Sequence, residues 1–155
     1  MEIIALKLRP ELEQVRKWYT KYKELVKLTD ELRKRDLAPE IVSSINQGIA
    51  FLNSFSGTNQ ALLKQVRAVE HRILKLIEKE LKLVPKNSYR TRWMVIGMSA
   101  FGVPIGMAFG AGLGNMAFLA IGIPFGMSIG IAIGTSMDKK AFEEGRQLDI
   151  EIRPL

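Results

Sequence analysis

From Pro10 to about Arg35 the apolar residues fall at Val15, Trp18, Tyr22, Leu25 and Leu32, with Thr29 in the same series. Spacing that alternates three and four traces one stripe of an α-helix. Leu12, Tyr19 and Val26 widen the stripe, and Glu13, Lys17, Lys21, Glu24 and Lys27 lie largely opposite. Pro10 suits the first residue of that helix, where its missing N–H costs nothing. Asp36-Leu-Ala-Pro39 breaks the pattern. A second helix is predicted over 39–54, with Val42, Ile45, Ile49 and Leu52 on one face. Its polar side (Ser43, Ser44, Asn46, Gln47) carries no charge, which is unusual for a solvated helix. Residues 53–58 are turn and cap residues. A third helix is predicted over 59–84, with Leu62, Val66, Val69, Ile73 and Leu76 in its stripe, extended by Leu81, Leu83 and Val84. Short links between these helices predict an antiparallel bundle over residues 1–88. The lead-in before Pro10 reads as either strand-like or helical. The Trp18–Tyr19–Tyr22 group reads as core packing.

The pattern then changes. Residues 93–137 contain no Asp, Glu, Lys, Arg or His, and hold ten of the thirteen glycines. A membrane span needs about 20 residues, so this run fits two spans and a tight turn. The spans are placed at 93–113 and 117–137, with the turn at Gly112-Leu-Gly-Asn115. Burial of the run in a soluble core is the competing reading, but 45 uncharged residues exceed what a 155-residue globule hides. The predicted fold class is all-α: a cytoplasmic amphipathic helical bundle followed by a transmembrane two-helix hairpin (89–137) and a cytoplasmic tail (138–155). In the tail, Phe142-Glu-Glu-Gly145 reads as a helix end. Leu148, Ile150 and Ile152 alternate with charged residues as in a short strand, which is expected to lie against the bundle.

Within the apolar run, Gly102-Val-Pro-Ile-Gly-Met-Ala-Phe-Gly-Ala-Gly-Leu-Gly114 returns as Gly122-Ile-Pro-Phe-Gly-Met-Ser-Ile-Gly-Ile-Ala-Ile-Gly134. Residues four apart on a helix lie nearly above one another. Gly102, Gly106, Gly110 and Gly114 therefore predict one smooth groove, and Gly122, Gly126, Gly130 and Gly134 another. In lipid, helices associate through close packing of small residues rather than hydrophobic gain. Pro104 and Pro124 each remove a backbone hydrogen bond and are expected to kink or loosen their helices, with Ser99 a candidate donor to a freed carbonyl. Paired breaks at mid-membrane also mark solute paths in some transporters. A turn near residue 114 sets Gly102 and Gly106 at the depth of Gly122 and Gly126. Gly110 and Gly130–Gly134 are then left over, which predicts packing against other copies and a homo-oligomer.

Charge adds orientation. The net charge of +7 comes from residues 1–92, where 19 Lys+Arg face 11 Asp+Glu. Lys86, Arg90 and Arg92 precede the apolar run, and Lys139, Lys140 and Arg146 follow it. Both flanks being basic, the positive-inside rule predicts cytoplasmic termini and a multi-pass protein of the inner membrane. Tyr89, Arg90, Arg92, Trp93, Lys139 and Lys140 are the expected interface anchors. The lipid bilayer accounts for the basic surplus without nucleic acid, since no groove of basic and aromatic residues is visible. The opening residues do not read as a signal peptide.

Candidate chemistry is sparse. With no cysteine, disulfides, thiol nucleophiles and Cys-ligated zinc are excluded. His71, the single histidine, lies between Glu70 and Arg72 and reads as a solvated helix flank. Neither a Ser/His/Asp set nor a phosphate loop is present. No cofactor, metal site or catalytic residue is expected, and the chain does not read as an enzyme.

The doubled series at Gly102–Gly114 and Gly122–Gly134 resembles the glycine-zipper membrane proteins. That group includes small bacterial channels, membrane-inserting toxins and small bacterial hairpin proteins with no assigned activity. The resemblance implies membrane insertion and self-association and carries over no catalytic residue. Two functions follow. One is a self-associating membrane protein, a pore-forming or membrane-perturbing oligomer. The alternative is a membrane-anchored interaction module, in which residues 10–84 bind a protein partner and the hairpin is an anchor.

Overall fold

A computed structural model describes residues 2–7, 9, 12, 16–115, 117 and 119–152, without the side chains of residues 16, 17 and 119. The expected helix start at Pro10 and the stripe position Val15 lie outside the described residues. The chain divides into two compact units, Met1–Leu83 and Val84–Leu155.

The first unit is helical. Helix α1 covers Arg16–Arg33, α2 Pro39–Ser54 and α3 Asn59–Leu81. Tyr22, Leu25, Thr29 and Leu32 are buried as their spacing requires, and Leu28 joins them. Trp18 and Tyr19 are half-buried. In α2 the buried face is Ile41, Val42, Ile45, Ile49 and Leu52; in α3 it is Leu62, Val66, Val69, Ile73 and Ile77. Pro39 opens α2, and Thr58 caps α3 by accepting from the Ala61 N–H at 3.3 Å. Both α1 and α2 pack on α3.

The lead-in, Glu2–Lys7, forms neither helix nor paired strand. It lies extended, with Ile3 and Leu6 buried, and is hydrogen-bonded to side chains of both α1 and α2. The extension of the third helix through Val84 is corrected. Helix α3 stops at Leu81, because Lys82 turns left-handed (φ 56°) and the Leu83 N–H bonds back to the Ile77 carbonyl at 3.2 Å. A left-handed residue just past the last turn is a common helix end, and it releases Val84 into a strand.

The second unit begins with that strand, β1 (Val84–Lys86). It continues as α4 (Ser88–Gly97), one π-helical turn (Met98–Gly102), α5 (Val103–Gly112), α6 (Leu119–Glu143) and strand β2 (Gln147–Glu151). The first arm is continuous helix over Ser88–Gly112. This arm and Ala120–Glu143 are each long and apolar enough to cross a membrane, at mean hydropathy 1.7 and 1.5. Only 22% of each apolar window is buried, which is the opposite of a soluble core helix. Both helices outrun the predicted spans at the charged end. Backbone hydrogen bonding continues into Ser88–Arg92 and Asp138–Glu143, where composition alone marks a boundary.

The turn follows from local chemistry. Gly114 is left-handed (φ 65°), the Asn115 N–H bonds to the Gly110 carbonyl at 3.0 Å, and the Gly114 N–H bonds to Ala111 at 3.4 Å. This is a Schellman closure, which favours glycine at the left-handed position. Gly145 (φ 67°) closes α6 the same way, with Arg146 N–H bonded to the Ala141 carbonyl at 2.9 Å. The chain then turns into β2. As expected, residues 147–151 form a strand. It pairs in parallel with β1, Val84 opposite Gln147 and Pro85 opposite Leu148. Leu148 and Val84 are fully buried. The tail is therefore part of the hairpin unit.

Candidate functional site

The seam between the two arms of the hairpin is lined with glycine. A Cβ placed at Gly126 would come within 3.0 Å of the Gly97 carbonyl oxygen and the Gly102 nitrogen. At Gly122 it would meet the backbone of Gly102 and Gly106 as closely, at Gly130 that of Trp93, and at Gly134 that of Tyr89 and Arg90. Gly97, Gly102, Gly106 and Gly110 are buried on the first arm. Every obstacle is backbone, so no side-chain rotation can relieve it. Helix axes approach this closely only where Cβ is absent on the contact face.

Gly102 and Gly106 stand against Gly122 and Gly126, as the turn near residue 114 predicts. Gly130 and Gly134 are not left over; they receive plain backbone at Trp93 and Tyr89–Arg90. A glycine groove accepts any backbone and needs no glycine opposite. Gly114, counted with the groove on its spacing, is instead the turn residue, and a Cβ there would meet open space.

Gly97 joins the seam although it lies five residues before Gly102. Five residues on an α-helix fall well off the starting face. The π-helical turn corrects this: the Val103 N–H bonds to the Met98 carbonyl, five residues back. The extra residue in that turn brings Gly97 and Gly102 onto one face. Pro104, two residues after the turn, explains its place. A proline in mid-helix has no N–H to give and its ring crowds the carbonyl four residues back, and a wider turn relieves both. Pro124 sits early in α6, and the helix runs through it. Ser99 Oγ donates to the carbonyls of Val95 and Ile96, both at 3.1 Å, rather than to Ala100. Ser128 Oγ donates to the Pro124 carbonyl at 2.8 Å.

The fourfold series on α6 ends in a charge. Asp138, four residues past Gly134, is buried at 6% exposure. Its carboxylate accepts from the Tyr89 N–H at 3.1 Å and the Arg90 N–H at 2.8 Å. These belong to the first turn of α4, whose own N-cap residue, Asn87, supplies no side-chain bond. Asp138 thus caps a helix from across the seam, where the helix dipole favours negative charge. Lys139, Lys140, Arg90 and Arg92 are exposed around it, while Tyr89 and Trp93 are half-buried. The anchors predicted from both flanks are gathered at one end of the hairpin. Asp138→Ala leaves two N–H groups without an acceptor, and we expect a loss of about 2–3 kcal/mol. The drop in the unfolding midpoint of the hairpin, followed by Trp93 fluorescence in a Trp18→Phe background, measures it.

The first unit holds a buried charge cluster on α1 and α3. Lys21 Nζ lies 2.7 Å from Glu70 Oε2 and 2.9 Å from Glu24 Oε2. Lys21 and Glu70 are 5% and 4% exposed. Glu70 Oε1 has no hydrogen-bond partner. Burial pushes the Glu70 carboxyl above its ordinary range, against the opposing pull of Lys21. His71 is exposed. No group of His, Cys, Asp and Glu able to hold a metal ion occurs among the described residues.

In comparisons with known proteins, no family model, curated protein or solved structure matches this chain.

Proposed function

We propose that the chain is a membrane-anchored interaction module: the hairpin of the second unit spans the bilayer, and the helical first unit binds a protein partner. The observation that carries this reading is the consumption of the glycine seam within one chain. Gly122, Gly126, Gly130 and Gly134 all face backbone of the same hairpin. The hairpin is therefore a closed pair that needs no second copy to complete it. Its outward surface is apolar, with Phe101, Met107, Phe109, Ile121 and Phe125 all exposed. Lipid covers such a surface. Residues 93–137 carry no charged side chain, whereas selective pores use rings of charge or of backbone carbonyls. The self-association reading retains only this outer apolar face as a contact surface for further copies. The basic end, with Arg90, Arg92, Lys139 and Lys140, faces the cytoplasm by the positive-inside rule.

Two measurements test the reading. A topology reporter inserted after Asn115 is expected to report the outer side of the membrane, and reporters at either chain end the cytoplasmic side. Vesicles of mixed zwitterionic and anionic lipid carrying the protein are expected to retain an entrapped dye. An Asn115 reporter that stays cytoplasmic overturns the spanning hairpin. Dye release that rises with protein density favours the membrane-perturbing oligomer instead.

A further inference from the structure

The uncharged polar face of α2 has a use in the fold. Asn46 accepts from the Ile4 N–H at 2.8 Å through Oδ1 and donates to the Glu2 carbonyl at 2.9 Å through Nδ2. Asn53 repeats the device: it accepts from the Lys7 N–H at 2.8 Å and donates to the Ala5 carbonyl at 3.0 Å. Each amide offers both an acceptor and donors, so each stands in for a neighbouring strand. The two asparagines are seven residues apart on a helix, about 10.5 Å at 1.5 Å per residue. The backbone groups they hold are three residues apart, about 9–10 Å for extended chain. The ladder and the segment are matched in length.

The α1 side adds main-chain contacts. Arg33 Nε donates to the Ile3 carbonyl at 3.1 Å, and the Tyr22 hydroxyl donates to the Lys7 carbonyl. Inward side chains recur every three residues: Ile3 and Leu6 are buried, and Arg9 Nη2 donates to the carbonyls of Leu52 at 3.1 Å and Phe55 at 2.8 Å. A spacing of three differs from the alternation of a strand, in which every second side chain shares a face. Arg9 thereby neutralises the C-terminal end of α2. Ile4, Ala5 and Lys7 point outward. The seam between α1 and α2 thus reads six main-chain groups but only three side chains.

We propose that this seam is a groove for an extended peptide, with residues 2–7 and Arg9 as its described resident occupant. The partner segment that exchanges for them carries an aliphatic residue, a second one three residues later and an arginine three after that. The proposal rests on the first unit being the binding part of an anchored module, and it names the chemistry of the partner. Recognition through the main chain tolerates varied sequence at the outward positions, as in other extended-peptide grooves. The resident segment competes at the high effective concentration of a tethered ligand. It therefore sets a threshold that a partner must exceed.

The test uses the full chain in detergent micelles, with a protease site inserted after Arg9 and cut once the protein has folded. The probe is a fluorescently labelled peptide of residues 2–9. The cut protein is expected to bind it saturably, at least about tenfold more tightly than the uncut protein does. Ile3→Asp with Leu6→Asp in the peptide is expected to weaken binding by at least about tenfold. Asn46→Leu with Asn53→Leu in the protein, which removes four hydrogen bonds, is expected to do the same. Circular dichroism checks that the variant protein keeps its helices. If it does not, Arg9→Gln in the peptide gives the same reading on unaltered protein. A helical cut protein that ignores the peptide, or binds the altered peptides equally well, overturns the groove. Such a failure in protein that retains dye in vesicles leaves the anchored module standing. Peptide binding in protein that releases dye overturns the anchor-only hairpin and keeps the groove.

Discussion

Replacing Gly126 with alanine is expected to open the hairpin, although alanine is the better helix former. One methyl group at this position would lie closer than 3.0 Å to atoms of Gly97 and Gly102, all of them backbone. In a core lined by side chains, overpacking costs about 1–3 kcal/mol, because rotamers and neighbours give way. Here only movement of a whole helix makes room, so the effect belongs at or above the top of that range. Gly112→Ala is the internal control: a Cβ there meets nothing within 4 Å, and replacing helical glycine should help slightly. Spin labels on cysteines at Arg92 and Ser136, both exposed, read the separation of the arms in a chain with no native cysteine. The expected result is a longer, broader distance distribution for Gly126→Ala and an unchanged one for Gly112→Ala. Equal distributions would show that the seam does not depend on close approach.

The helical stripes and the glycine series were legible because they are local and periodic. Four-residue spacing marks a face whatever lies opposite. What stands opposite was not legible, and the larger corrections come from there. Pairing glycine only with glycine left Gly130 and Gly134 unused, whereas the groove takes the backbone of Trp93 and Arg90. Gly97 was missed because a spacing of five leaves the face unless a π-helical turn intervenes. Pro104 was the available signal for that turn. Asp138 read as the start of a charged tail, yet it is the next member of the fourfold series on α6 and caps α4. Val84 and Leu148 are apolar residues 64 positions apart, and nothing local to either announces a parallel pair. For Asn46 the signal was present, since a polar helix face without charge has a reason to be so. The reason lay in the lead-in segment, which sequence left between helix and strand.

Lys21→Met is expected to destabilise the first unit by about 3–5 kcal/mol at neutral pH, the usual consequence of stranding one member of a buried ion pair. Glu70 is 4% exposed and would face a thioether in place of the ammonium, with both oxygens poorly satisfied, and Glu24 would add like charge nearby. The sign of the pH dependence follows from Glu70. Its folded-state pKa is raised, by burial first, with Lys21 and Arg67 pulling the other way. A raised carboxyl binds its proton more tightly folded than unfolded, so its stabilising share is full below the ordinary glutamate range. That share is lost as pH rises through the folded value. Removing Lys21 raises Glu70 further, so the deficit of Lys21→Met should be largest near neutrality and shrink as pH falls into the ordinary glutamate range. Glu70→Gln should remove this slope, and Lys21→Met with Glu70→Met should be no less stable than wild type at neutral pH, since a packed apolar pair avoids desolvating two charges. Denaturant unfolding followed by Trp18 fluorescence in a Trp93→Phe background reads all three. A deficit for Lys21→Met that stays constant with pH would place the cause in packing and not in the stranded carboxylate.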